Sequence, residues 1–349
     1  MTELFLPSPS QGVWHIGPIP IRAYALCVLG GIVIAWFLVR RRWRALGGDV
    51  ERLENLLLVT VVCGILGARL YYVLIEWDRF FGPGQTWYHI FYLWQGGLGI
   101  WGGVAVGALA AFLMARRQGL SFAVLADCFA PALPLAQAVG RFGNYFNQEL
   151  YGRPTDLPWG LEIDPAHRVS GYTGVATFHP TFLYESLWDV ALAVVLLLVV
   201  ERRLHWGRGK LLASYVVGYA LGRFVVESFR IDPVKVIGPL RINAWVTLAL
   251  GLAGLAALLW LLRHRPGPNP PDAASTGPRT GKRAFSETVT TDQSEAGRAD
   301  SAGGADQVAP EADQVASEMD QVVSEIDQVV SEADRAVSED GAGQVPADG

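Results

Sequence analysis

Cysteine is scarce in this chain. Of 349 residues only Cys27, Cys63 and Cys128 carry a thiol, each inside an apolar segment, with no C-x-x-C pair and no Cys/His cluster. That excludes a disulfide framework and a zinc site, and predicts three buried structural thiols. A basic start is also missing. Residues 1–20 are Pro-rich instead, which predicts that no signal peptide opens the chain. Acid is short over the first three quarters: residues 1–265 hold 23 Lys+Arg against 16 Asp+Glu, a net of +7. No acidic cluster there suggests a magnesium site, which argues against a phosphatidyltransferase acting on CDP-alcohols. No internal two-fold repeat or pair of broken helices stands out either, as many transporters would have.

What is present is apolar surface, 51% of the chain. Seven apolar runs, at about 21–39, 53–75, 98–115, 121–139, 181–200, 211–229 and 242–262, approach the length that crosses a bilayer. The expected fold is therefore all-α, a polytopic membrane bundle of about seven transmembrane helices. Basic residues fall in alternate short loops: Arg40, Arg41, Arg42, Arg44 and Arg52, then Arg116 and Arg117, then Arg202, Arg203, Arg208 and Lys210, then Arg263 and Arg265. By the positive-inside rule the N-terminus lies outside and the C-terminus in the cytoplasm. Trp77, Trp87, Tyr88, Trp94 and Trp159 suit an aromatic belt at the outer edge.

Two domains are expected. Residues 1–265 form a transmembrane catalytic domain with an outward loop at about 141–180, rich in Pro and Gly and shaped to grip a protein substrate. Residues 266–349 form an acidic cytoplasmic tail, with 5 Lys+Arg against 17 Asp+Glu. Pro266-Gly267-Pro268-Asn269-Pro270-Pro271 marks the linker. The tail repeats every seven residues, ADQVASE, MDQVVSE, IDQVVSE and ADRAVSE from residue 312. Apolar residues at a/d spacing allow a short coiled coil. The few repeats, the Ala at the seam and the Gly- and Ser-rich flanks favour disorder.

The densest functional stretch is Gly140-Arg141-Phe142-Gly143-Asn144-Tyr145-Phe146-Asn147-Gln148-Glu149-Leu150-Tyr151-Gly152-Arg153-Pro154. It directly follows an apolar run. Arg141 offers a planar fork that matches phosphate, and Asn144, Asn147 and Glu149 can orient it or contact a polar head group. In the sixth run Tyr219, Arg223 and Glu227 recur at i, i+4 and i+8, on one helix face. Charge inside a membrane span is costly and marks function by default; the plainer reading is an Arg223–Glu227 pair that neutralises itself. His179-Pro180-Thr181-Phe182-Leu183-Tyr184-Glu185 opens the fifth run, where His179 suits a phosphate oxygen, a proton transfer or a structural role. Arg69 is a further inward-facing charge, a head-group contact or a structural partner. Gln95-Gly96-Gly97-Leu98-Gly99-Ile100-Trp101-Gly102-Gly103 suits close helix packing or the approach of backbone to a ligand.

The pattern Gly-Arg-x-Gly-Asn-x-x-Asn-x-Glu-x-x-Gly resembles the signature of the prolipoprotein diacylglyceryl transferase family, and the resemblance covers roughly residues 15–262. The His-Pro-x-x-x-Tyr-Glu and Tyr-x-x-x-Arg-x-x-x-Glu patterns are similar to further motifs of that family. The resemblance implies an enzyme of the bacterial cytoplasmic membrane. It moves the diacylglyceryl part of phosphatidylglycerol to the lipobox cysteine of a prolipoprotein, forming a thioether and releasing glycerol-1-phosphate. The implied partners are phosphatidylglycerol, prolipoprotein signal peptides and membrane lipids, with no nucleic acid, no metal and no cofactor. The residues it implies for catalysis are Arg141, Arg223, Tyr24, Glu227 and His179. Those for substrate binding are Arg141, Asn144, Asn147, Glu149, Gly152, Tyr219, Arg69, Tyr184 and Glu185. Many members carry His where this chain has Trp101, a position proposed for the base. Indole has no basic nitrogen, so the base lies elsewhere here or that His is dispensable. The competing class is a transporter or binding protein for an anionic lipid or solute.

Overall fold

The computed structural model describes residues 5–17, 19–82, 86–92, 96–270 and 274. Trp94, Gln95 and the heptad-like repeats lie outside the described residues.

The chain opens with an antiparallel hairpin, β1 (Val13–Ile16) and β2 (Ile19–Arg22), in register Val13↔Arg22. Helices follow: α1 (Ala23–Ala45), α2 (Val50–Ile75), the short α3 (Trp77–Phe81), α4 (Ile100–Arg117), α5 (Phe122–Phe129) and α6 (Ala132–Asn147). Beyond α6 come β3 (Leu161–Glu162) and β4 (Thr177–Phe178), paired with each other. Then come α7 (Thr181–Val195, running on as π-helix through Arg203), α8 (Lys210–Glu227), the hairpin β5 (Val236–Ile237) and β6 (Leu240–Arg241), and α9 (Ile242–His264). Among the described residues the architecture is mostly helical, with the named strands confined to three two-stranded antiparallel pairs.

Among the described residues five helices, α1, α2, α4, α7 with its extension, and α9, are long and apolar enough to cross a membrane. The pair α5 and α6, bent by 40° at Ala130–Pro131, makes a sixth if it counts as one span. The sixth expected run, about 211–229, became α8. It is as long as α4, but Lys210, Arg223 and Glu227 fall within its 18 residues, so composition alone does not mark it as a span.

Glycine decides how α2 meets α4. A methyl on Gly67 would lie 2.4 Å from Val106 Cβ, and one on Gly102 would lie 2.3 Å from the Gly67 carbonyl oxygen. The glycine-rich run is thus spent on backbone-to-backbone packing of these helices. At the end bearing the basic residues, Trp43, Val39, Leu53, Leu56, Leu125 and Cys128 make a fully buried apolar cluster.

That end is also tied by polar groups. Asp127 of α5 is fully buried and accepts from Gly209 N (2.8 Å), Leu211 N (3.0 Å), Leu212 N (3.4 Å) and Asn269 Nδ2 (3.1 Å). It satisfies the orphan amides at the start of α8 from another helix, where a negative charge also suits the helix dipole. Lys210, 1% exposed, donates to the carbonyls of Arg265 (2.6 Å) and Gly267 (2.8 Å). Asn269 accepts from Arg208 N (2.7 Å), and Ala274, buried, donates from its backbone to Leu46 O (3.3 Å). The described part of the expected linker, Pro266–Pro270, is therefore pinned to the helical domain together with Ala274.

Candidate functional site

The expected loop at 141–180 begins later. Helix α6 continues through Arg141, Asn144 and Asn147, and stops where Gln148 takes a left-handed backbone (φ 51°). No Pro, and no Gly with positive φ, interrupts the helix between Pro134 and that point. Arg141 therefore projects from a helix into the bundle. The left-handed turn lets Glu149 N reach back to Asn144 O (3.1 Å), a helix-ending bond of the kind usually made by Gly.

Three of the predicted residues meet across three helices. Glu185 of α7, 6% exposed, takes Arg141 of α6 on Oε2 and Arg223 of α8 on Oε1, the latter at 3.0 Å. Arg223 Nη2 also lies 2.6 Å from Glu227 Oε2, one turn along α8. Glu227, 1% exposed, receives Arg241 Nε at 2.8 Å and Asn243 Nδ2 at 3.2 Å on Oε1. Arg241 then meets Asp232 at 3.0 Å, and Asp232 meets Arg230 at 2.7 Å. Charges alternate without a break from Arg141 to Arg230. The contacts at Glu185 Oε2, Glu227 Oε2 and Arg241 Nε are close in distance but are not aligned as hydrogen bonds.

Tyr219 lines the same small cavity as Glu185 and Arg223, and its ring stacks on Tyr215 at 5.9 Å. Tyr24 flanks the cluster: its ring lies on α6, where a methyl on Gly143 would sit 2.5 Å from Tyr24 Cδ2. The second glycine of the signature is thus a seat for this tyrosine.

The other expected residues gather into two patches outside that chain. Asn144 and Asn147 both donate to Glu149 Oε1, at 3.0 and 3.1 Å, so the three form one local unit at the end of α6. His179 Nδ1 bonds Tyr184 Oη at 3.0 Å, Trp159 Nε1 donates to that oxygen at 3.1 Å, and the Phe229 ring lies 5.3 Å from the imidazole. Burial, and then the nearby Arg153, hold His179 below the usual histidine range, so the ring is neutral at pH 7. Gly152 is where this patch closes. A methyl there would lie 2.7 Å from His179 Cβ, and Gly152 N donates to His179 O at 2.9 Å.

Arg69 is not part of the charge chain. It donates to the carbonyls of His89 (2.7 Å), Ile90 (2.7 Å), Gly96 (2.7 Å), Gly97 (3.0 Å) and Tyr92 (3.5 Å), with Phe80 over its guanidinium at 5.3 Å. Its donors hold the loop before α4, and Arg69 also lines a cavity of about 270 Å³ with Tyr72, Arg79, Phe80 and His89. Trp101 stands 54% exposed at the start of α4.

Some residues at the site were not anticipated. Gln148 bridges the end of α6 to the following loop, donating to Asp164 Oδ2 (2.6 Å) and accepting from Asp164 N (2.8 Å). Arg241 and Asn243 complete the shell of Glu227, and Asp189 lines the cavity beside Glu185. Only Asp189 had a sequence signal: it stands four residues after Glu185, hence on the same helix face.

Comparison with known proteins agrees with the motifs. The family profile described as prolipoprotein diacylglyceryl transferase matches residues 11–260. The chain is 50% identical over 267 residues to the phosphatidylglycerol–prolipoprotein diacylglyceryl transferase of Cutibacterium acnes, covering 76% of this chain and 90% of that one. It is 47% identical over 267 residues to the second such enzyme of Streptomyces coelicolor, covering 76% and 84%. To that of Mycobacteroides abscessus it is 46% identical over 277 residues, covering 76% and 80%. With helices long and apolar enough to cross a membrane and a family profile matched over residues 11–260, this integral membrane protein belongs to the prolipoprotein diacylglyceryl transferase family.

Proposed function

We propose that this enzyme transfers the diacylglyceryl group of phosphatidylglycerol to the lipobox cysteine of prolipoproteins in the bacterial cytoplasmic membrane. The observation that carries the reading is the convergence of Arg141 and Arg223, from different helices, on the single carboxylate of Glu185. Two guanidinium groups aimed at one buried point suit a phosphodiester whose charge grows as the glyceryl carbon–oxygen bond breaks. The thiolate of the substrate is the nucleophile, which explains why Cys27, Cys63 and Cys128 have no place in the charge chain. Its neutral form has pKa about 8.5, so some activation is needed at pH 7. The product is a thioether and the leaving group is glycerol-1-phosphate.

In this reading α8 is a seventh span that tolerates charge because Arg223 and Glu227 are paired inside the bundle. The N-terminus and the loop after α6 face outward, the basic loops face the cytoplasm, and the acidic tail is a cytoplasmic appendage. The His179–Tyr184 patch and the Asn144–Asn147–Glu149 unit border the site from the outward side, where a signal peptide presents its cysteine. The test is direct. Purified protein in vesicles containing phosphatidylglycerol should attach a diacylglyceryl group to a lipobox peptide, and release of glycerol-1-phosphate should match it mole for mole. Vesicles lacking phosphatidylglycerol should give no product. Absence of transfer with active-folded protein would overturn the reading.

A further inference from the structure

Each carboxylate that the outer cluster presents is engaged, with one exception. Glu185 holds two arginines, Glu227 holds Arg223, Arg241 and Asn243, and Glu149 holds two asparagines. Asp189 stands one turn beyond Glu185 on α7, is 2% exposed, and makes no hydrogen bond or ion pair among the described residues. The charged and titratable groups facing it are Arg141 from α6, Tyr215, Tyr219 and Arg223 from α8, and Glu185 on its own helix. Between Asp189, Glu185, Tyr219 and Arg223 lies a cavity of about 10 Å³, room for one water. Trp188 walls it, its indole seated on Gly222 so closely that a methyl there would be 2.1 Å from Nε1.

A carboxyl group buried in a span without a partner is costly to keep, and such groups mark proton relays and substrate paths. The transfer reaction has a proton to move. Among the other candidates, Glu185 and Glu227 each already face two arginines, His179 lies in the separate patch with Tyr184, Trp159 and Phe229, and Trp101 has no basic nitrogen.

We propose that Asp189 accepts the thiol proton during transfer, through a single water in this cavity. The inference rests on the transferase reading above. The substrate S–H gives its proton by way of the water to the Asp189 carboxylate. The sulfur lone pair forms the bond to the glyceryl carbon, and the bond from that carbon to the phosphate oxygen breaks with its electrons on oxygen. The proton on Asp189 then returns through the water to the departing glycerol phosphate. Atoms and charge balance with the two substrates alone.

The test uses the full chain in phosphatidylglycerol vesicles with two lipobox peptides, one bearing cysteine and one bearing selenocysteine, whose selenol is already ionised at neutral pH. On the cysteine peptide Asp189→Asn should lose roughly 100–10,000-fold at pH 7, the range of general-base catalysis. Its rate should climb about tenfold per pH unit towards the thiol's own pKa near 8.5. On the selenocysteine peptide the same variant should run close to the wild-type rate. Asp189→Glu should keep a substantial rate, with the acid limb of its pH profile displaced on the cysteine peptide and absent on the selenocysteine peptide. That variant decides the matter if the Asn form does not accumulate. Equal loss on both peptides at every pH, an Asn variant as fast as wild type, or an unmoved acid limb in the Glu variant would each overturn the proposal. Wild-type protein that modifies neither peptide would overturn the transferase reading instead.

Discussion

The two ends of this bundle hold their most deeply buried charges in opposite ways, although the basic end also has one bidentate side-chain pair, Arg42 on Glu201. At the end bearing the signature, Arg141, Glu185, Arg223, Glu227, Arg241, Asp232 and Arg230 are paired side chain to side chain, several of them at short distance but poorly aligned. At the other end Asp127 and Lys210 are paired mainly to backbone amides and carbonyls, with Asn269 as the one side-chain partner of Asp127. A side-chain partner can be given up by a rotamer change, whereas a helix-terminal amide cannot leave without unwinding its helix. The first arrangement suits a place where a substrate must displace a partner. The second suits a place whose only task is to hold α5, α8 and the segment after α9 together.

The contrast is broken most easily at the arginines. Arg141→Lys and Arg223→Lys keep the charge but lose the planar fork. Each should slow transfer roughly 10–1000-fold, the equivalent of about 1.4–4 kcal/mol of transition-state stabilisation. Thermal unfolding in detergent should move little. Near-normal turnover in both would mean that positive charge alone suffices and that the fork is not read. The reverse pattern is expected at Asp127. Asp127→Ala strands the amides of Gly209, Leu211 and Leu212, and an unsatisfied buried group costs about 1–3 kcal/mol. Stability measured by thermal or denaturant unfolding should fall by about 2–4 kcal/mol, while turnover per folded molecule is kept. A variant that unfolds normally but turns over slowly would erase the distinction between the two ends.

A finer cut sharpens the same point. Truncation after Arg265 removes the Gly267 acceptor of Lys210 and all of Asn269, so it should cost about 1–2 kcal/mol. Truncation after Gly281 keeps them, and membranes carrying that shorter chain should retain both its stability and its transfer rate. Equal behaviour of the two truncations would show that the pinned segment contributes nothing. The smallest effect is expected at Trp101, half exposed and without a basic nitrogen. Trp101→Phe should keep transfer within a few-fold, about 1 kcal/mol or less, and a shift of the pH profile in Trp101→His towards the imidazole range would argue for a base at that place after all.

Much of the site was legible because it obeys helical spacing. Tyr219, Arg223 and Glu227 fall every four residues, and α8 carries them along one face. Glu185 was legible only as part of a motif; that it joins Arg141 to Arg223 depends on how α6 and α7 pack, which no local pattern encodes. The loop expected to start at residue 141 starts later because α6 ends on Gln148 in a left-handed conformation, and a glutamine does not advertise that turn as glycine would. Arg69 was legible as an inward charge, yet its partners are carbonyls, which every residue has and no sequence distinguishes. The boundary at Arg265 looked natural from the prolines that follow. Asn269 crosses it because the open end of α8 and Asp127 offer an acceptor and a donor there.

Glu185 has a consequence beyond holding two side chains. On the proposed reading it is a resident counter-ion, occupying the arginines in the interval between one lipid and the next. A pair of bare guanidinium groups within a bilayer would have to draw in solvent or a stray anion each time product departed. With its own carboxylate beside them, the resting enzyme stays close to electrical neutrality at every stage. Turnover then becomes the exchange of one anion for another rather than the charging and discharging of a cavity, and the field that favours the departing phosphate need not be rebuilt from water.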